Sequence, residues 1–186
     1  MAQIHQPAPV KLIAGLLAAR AEWLDVAAVR LAELFGPIEL ASPDWAFDFT
    51  HYYDKQMGEN LLRRFVAFAG TVDPETLGAT KRRTNELEAE LAEQFPDFPR
   101  PVNIDPGYVA PSKLVLASMK DFAHRVYLGG GVYAEVTLRY VGGQWQSMPF
   151  TFPDYASGRY DAFLSAAREL LMKSRANPAS RAGQCE

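Results

Sequence analysis

Residues 11–18 are apolar at nearly every position, with Gly15 in the middle, which predicts a strand buried on both faces. Leu24, Ala27, Ala28, Leu31, Leu34 and Phe35 then recur at the spacing of one helix face, and Gly36 followed by Pro37 supplies the stop. Residues 38–41 fit a short strand, broken by Ser42 and Pro43. From 45 to 53 the chain alternates, so that Trp45, Phe47, Phe49, His51 and Tyr53 share one side while Asp48, Thr50 and Tyr52 share the other, the period of a strand. Residues 65–69 are apolar on both faces and predict a central strand.

Asp73 and Pro74 form an N-cap and first-turn pair for a long helix reaching about Phe95. Its inner side carries Leu77, Thr84, Leu87, Leu91 and Phe95, bordered by a polar stripe of Lys81, Asn85 and Glu88. The next strand sets Val102 and Ile104 on one face and Asn103 and Asp105 on the other. Asp105, Pro106, Gly107 and Tyr108 then match a type II turn, where proline fixes the second position and glycine accepts the positive φ of the third. Residues 114–119 read as another strand. Gly129, Gly130 and Gly131 separate two further strands, 125–128 and 132–140, and a three-residue loop sets Leu128 opposite Val132, Tyr127 opposite Tyr133 and Arg125 opposite Glu135. Residues 144–150 add an edge strand, and the last helix buries Tyr160, Phe163, Leu164, Ala167 and Leu171.

This order predicts an α+β fold: a mixed or antiparallel sheet with helices packed on it, whose first six elements fit a split βαβ, ferredoxin-like core extended by a C-terminal hairpin and helix. The expected organisation is a flexible arm at 1–9, one domain over 10–173, and a disordered tail at 174–186, where small and polar residues dominate. A formal net charge of −3 provides no global basic surface, which counts against a duplex-DNA binder and leaves only a local basic patch available. The single Cys185 rules out an intrachain disulfide and a thiolate metal cluster. Residues 1–9 lack the blocks of a signal peptide, and no apolar run approaches the length of a membrane span, so a soluble cytoplasmic protein is expected. No pattern specifies a cofactor or sets an oligomeric state.

Several strings occur together in one order. Phe49, Thr50, His51, Tyr52 and Tyr53 precede Met57 and Gly58; Lys81 precedes Thr84, Asn85 and Glu88; Val102 to Tyr108 reads Val-Asn-Ile-Asp-Pro-Gly-Tyr. Ala117, Ser118, Met119, Lys120 and Asp121 follow, then His124 to Tyr127, Tyr133 to Leu138, and Pro153, Asp154 and Tyr155. Over roughly residues 10 to 172 the chain resembles a bacterial family catalogued as domain of unknown function 4416. The resemblance implies no established activity. Some members carry a GTP-binding label, but a P-loop needs GxxxxGK[ST] to wrap phosphates, and no such string occurs; Gly129 to Gly131 precede Val132 and Tyr133, as a hairpin turn would.

The candidate chemistry lies in His51, Asp105, His124 and Glu135, since histidine beside carboxylates is what proton transfer near neutral pH requires. Each also has a plain structural reading: Asp105 opens a tight turn, and Arg125 with Glu135 makes a cross-strand pair. The same four side chains are suitable metal ligands, but they lack the close spacings of a zinc signature, so no metal is assigned. Lys55, Lys81, Arg82, Arg83, Lys120 and Arg125 can hold an anion, with Tyr52, Tyr108 and Tyr127 as stacking surfaces, although a solvated helix face explains Arg82 and Arg83 equally well. These residues support an enzyme or binding domain for a small anionic ligand, phosphorylated or nucleotide-like. Lys81, Asn85, Asn103, Lys120 and Arg125 would contact the ligand, and His51 or His124 would move protons with Asp105 or Glu135 orienting them. The rival expectation is a non-catalytic module that binds protein or RNA through its sheet face and hairpin.

Overall fold

A computed structural model describes residues 3–50 and 52–176. His51, residues 1–2 of the arm and residues 177–186 of the tail lie outside the described residues. Among the described residues nine strands form one antiparallel sheet: β1 (Lys11–Ala18), β2 (Ile38–Ala41), β3 (Trp45–Ala46), β4 (Leu62–Phe68), β5 (Val102–Ala110), β6 (Lys113–Ser118), β7 (Val126–Gly129), β8 (Val132–Val141) and β9 (Gln144–Ser147). The order across the sheet is β2-β4-β1-β5-β6-β8-β7, with β3 also on β4 and β9 also on β8. Among the described residues five α-helices accompany it: α1 (Ala21–Phe35), α2 (Asp54–Met57), α3 (Leu77–Gln94), α4 (Pro153–Ala156) and α5 (Asp161–Ala176).

β1 is buried along its whole length because strands flank it on both sides and helices cover both its faces. Leu12, Ala14 and Leu16 turn to one face, where Leu24 and Leu31 of α1 and Leu87 and Leu91 of α3 close over them with Ile104. Ile13 turns to the other, packed with Phe65, Val109, Leu114 and the α5 side chains Phe163, Leu164 and Ala167. Burying such side chains stabilises by roughly 1.5–3 kcal/mol each, so these two cores anchor the sheet. Nearer the end of the strand, Leu17 meets Met57 and Leu61 instead, with Phe47 and Tyr53 packed around them.

Three sequence expectations change. The proposed turn at 105–108 is extended backbone: Asp105, Pro106 and Gly107 pair with Gly15, Ala14 and Ile13 of β1, and Gly107 does not take a positive φ. The reversal comes instead at Pro111 and Ser112, between Ala110 and Lys113. The strand expected over 45–53 stops after Ala46: β4 begins at Leu62, and past the Trp45–Arg63 and Ala46–Leu62 pairs the pairing ends with the Phe47 N–H donating to the Leu61 carbonyl at 2.7 Å. The glycine hairpin has the expected strand register, with Val126 against Ala134 and Tyr127 against Tyr133, but its loop is tighter. Gly129 pairs with Val132, leaving Gly130 and Gly131 at φ 58° and 77° as a two-residue turn and Leu128 as a bulge.

Gly107 is required by the close crossing of β6: a Cβ there would lie 2.4 Å from the Val115 carbonyl oxygen. Gly78, also buried, has room, with no neighbour closer than 3.8 Å to a built Cβ. Gly107→Ala is therefore expected to lower the unfolding free energy by about 1–3 kcal/mol. Gly78→Ala in α3 should raise it by about 0.5–1 kcal/mol, and urea denaturation of the two variants checks the contrast.

Candidate functional site

β5 pairs with β6 only from Gly107 to Ala110, so the first half of β5 has β1 on one side and no strand on the other. Its open edge cannot be left without hydrogen bonds in a buried setting. Helix α3 supplies them: Lys81 Nζ donates to the Ile104 carbonyl at 2.7 Å, and the Ile104 N–H donates to Glu88 Oε1 at 2.8 Å. Ile104 thus turns both backbone groups away from β1, and Pro106, two residues on, has the same orientation. Its missing N–H falls on the open edge and removes no ladder bond.

The polar side chains continue through this opening to the far side of the sheet. Arg100 donates to Glu88 Oε2 at 2.8 Å and also to Asn103 Oδ1, and the Asn103 amide donates to Asp105 Oδ2 at 2.7 Å. Arg63 Nη1 lies 3.4 Å from the same oxygen, and its Nη2 lies 3.6 Å from Asp154 on α4. Lys81, Glu88, Asn103, Arg63 and Asp154 are all buried. Arg63 is notably under-bonded for a guanidinium with five donors. Among the described residues its Nε has no hydrogen-bond partner, nor has the buried Tyr155 hydroxyl; the guanidinium stands 5.1 Å from the centre of the Phe47 ring.

Asp105 differs from its neighbours in keeping 30% of its side chain exposed although it lies deep among the packed elements. It therefore floors a recess open to solvent. Oδ2 is engaged by Asn103 and Arg63, whereas Lys81 Nζ stands 4.0 Å from Oδ1. Burial works to raise its pKa, but Lys81, Arg63, the Asn103 amide and Arg100 outweigh it and hold the carboxyl below its ordinary value. Burial dominates at Glu88 and Asp154 and raises both, against the opposing pull of Lys81 and Arg63 respectively. Tyr53, half-buried at the recess, is raised first by burial and then by Asp105. The segment leading to Arg100 is tied to α2 by its backbone N–H, which donates to the Gln56 carbonyl at 3.0 Å.

A second polar centre lies on β8. Glu135 is buried and receives Arg125 Nε at 2.7 Å and His124 Nε2 at 2.9 Å, while Thr137 Oγ1 donates to its other oxygen at 3.3 Å. The His124 ring stacks on Phe150, centroids 4.2 Å apart and planes within 8°. Arg125 Nη1 donates to Ser118 Oγ and to the Lys120 carbonyl, each at 2.9 Å. This clamp ties residues 118–125 to the sheet. At its exposed tip Lys120 Nζ donates to the Tyr52 hydroxyl at 3.1 Å, and that contact lowers the tyrosine's pKa.

Of the residues singled out from the sequence, Lys81, Asn103 and Asp105 meet at the first centre and His124, Arg125 and Glu135 at the second, with Lys120 on the rim. Asn85 is exposed on α3, one position past the buried Thr84. His51 lies outside the described residues. Sequence reasoning missed Arg63, Arg100 and Asp154. Arg63 did leave a signal, because in β4 it is in phase with the buried Phe65 and Ala67. Among the described residues no group of three or more His, Cys, Asp or Glu side chains is placed to hold a metal ion, and no helix is long and apolar enough to cross a membrane. Two surface hollows lie elsewhere, one beside Trp145 and Ser165 and one on the outer side of α1 at Val26 and Val29.

These features define an α+β protein with one large antiparallel sheet, crossed by a buried charged network where two strands part. The chain belongs to the family described as domain of unknown function (DUF4416), whose family model matches residues 8–171. No curated protein and no solved structure matches it.

Two outcomes test the centres. Removing the Glu135 carboxylate leaves Arg125 and His124 facing an empty buried position, so Glu135→Ala should lower the unfolding free energy by about 3–5 kcal/mol in urea titration. Asp105 has a depressed folded-state pKa, so its contribution to stability is present above its unfolded value of about 3.9 and is lost as pH falls through the folded value. Asp105→Asn should accordingly flatten the decline of melting temperature below about pH 4.

Proposed function

We propose that the recess above Asp105 binds a small ligand bearing both a hydrogen-bond donor and an anionic group, of the phosphorylated or nucleotide-like class. The observation that carries this reading is the Asp105 carboxylate itself: deep, ionised, 30% exposed, with Oδ1 turned from its fixed partners. Such an oxygen accepts an N–H or O–H from a ligand. Arg100, with 30% of its side chain exposed, and Lys120 supply positive charge at the rim, and Tyr52 and Tyr53 supply ring surface beside them. His124 and Glu135 then act by holding the Lys120 loop in place. If the bound molecule is also transformed, the group available for proton acceptance is Asp105.

The sheet order supports the finer fold reading as well. β2-β4-β1-β5, all antiparallel, with α1 after β1 and α3 after β4, is the arrangement of a split βαβ, ferredoxin-like core, and β6 to β9 extend it. Together with a single cysteine, this is the picture of a cytoplasmic ligand-binding domain.

Calorimetric titration with a panel of nucleotides and sugar phosphates, with inorganic phosphate as comparator, tests the reading. Asp105→Asn and Lys120→Ala should each weaken binding about tenfold or more, equivalent to about 1.4 kcal/mol; Lys120→Ala keeps the melting temperature at pH 7 within a few degrees of the parent, whereas Asp105→Asn stays folded by circular dichroism but melts lower, by the stability its ionised carboxylate contributes. Binding that neither substitution alters, or a panel in which nothing binds, removes the proposal.

A further inference from the structure

We propose that the chain forms a twofold dimer by antiparallel pairing of β7 with β7 of a second copy, joining the two sheets. β7 is the last strand on the sheet path, and no described strand pairs with its outer side. Its side chains are exposed yet apolar: Val126 at 68%, Tyr127 at 59% and Leu128 at 46%. Met119 at 41% and Phe122 at 65%, on the segment entering the strand, add to them. Taking about 150–250 Å² for a fully exposed large side chain, these five present roughly 500 Å². That is below the roughly 800 Å² per partner of a standard stable interface, so the expected dimer is weak and concentration-dependent.

The two ends of the sheet path differ in composition. β2, at the opposite end, is bracketed by Pro37 and Pro43 and carries Glu39, which pairs with Lys11. β7 contains no charge and no proline; its four-residue length and the Leu128 bulge limit a partner strand to a short pairing. Its apolar groups also lie on both sides of the sheet. Tyr127 packs with Tyr133, ring centroids 5.2 Å apart, while Leu128 borders Gly78 of α3 on the other face. A flat partner would cover one side only, whereas an added strand covers both.

A second copy fits this edge because the edge complements itself. A twofold axis through Tyr127 sets that tyrosine against its own copy on one face and Val126 against Leu128 of the copy on the other, apolar against apolar. Two positive side chains flank the strand: Arg125, engaged by Glu135 at one end, and Arg82, whose guanidinium lies against Gly130 at the other, so the dimer should tighten as salt rises.

Sedimentation equilibrium of the full chain between about 1 and 100 µM tests the proposal. A monomer–dimer equilibrium is expected, and Val126→Lys and Tyr127→Lys should each raise its dissociation constant at least about tenfold. Both positions are exposed, so circular dichroism should show the parent melting temperature for the dilute variants. Hydrogen exchange of the β7 amides should slow as concentration rises. A chain that is monomeric throughout overturns the proposal, and so does a dimer that both substitutions leave intact or one whose β7 amides exchange alike at both concentrations.

Discussion

The polar side of this protein depends on one constraint, the parting of β5 from β6 at Gly107. A strand edge inside a fold must find partners for its N–H and C=O groups, and the ladder cannot supply them once the neighbouring strand has diverged. Lys81 and Glu88 take the place of the missing strand at Ile104. Two opposite charges suit this task, one donating to a carbonyl and the other accepting from an amide, and their attraction offsets part of the cost of burying them. The remaining residues follow in sequence: Arg100 answers Glu88, Asn103 answers Arg100, and Asp105 answers Asn103. A backbone requirement on one face of the sheet is thereby converted into an ionised carboxylate on the other.

The two polar centres differ in how completely their bonds are closed. At Glu135 both carboxylate oxygens have donors, and the histidine is fixed further by its stack on Phe150, so the arrangement holds a single geometry. At Asp105 one oxygen is turned from its fixed partners, and beneath it sits an arginine whose nearest carboxylates are 3.4 and 3.6 Å away. A buried guanidinium with long contacts and an unbonded Nε is an under-satisfied group of the kind that proteins keep where something else is to be accommodated. The closed centre supports the open one by fixing the loop that carries Lys120 toward Tyr52.

Much of the framework was legible in the chain. The buried β1, the short β2, the capped entry to α3 and the inner face of α5 follow from local periodicity and from proline and glycine punctuation. Asp73 does accept from the Glu75 N–H at 2.9 Å, capping the 3-10 turn Pro74–Thr76 that runs into α3. The register of the glycine hairpin was also readable, because a short loop leaves few alternatives. The site was readable in part: Lys81, Asn103 and Asp105 stood out as polar residues among apolar ones. Asn85 stood out equally and is exposed, since a stripe at spacing four spreads around the helix and only part of it meets the sheet.

Local pattern alone was enough to place most of the strands and helices and the faces they bury, because those depend on neighbours a few residues away. Asp-Pro-Gly at 105–107 shows where that reach ends. Taken alone the string has the residues of a turn, yet pairing with β1 on one side and the close passage of Val115 on the other draw it into an extended strand. The meeting of Arg63 with Asp105, 42 positions apart, is of the same kind. Only the tertiary structure could decide these points, because the interactions that settle them join residues far apart in the chain and outweigh the local preference of any short string.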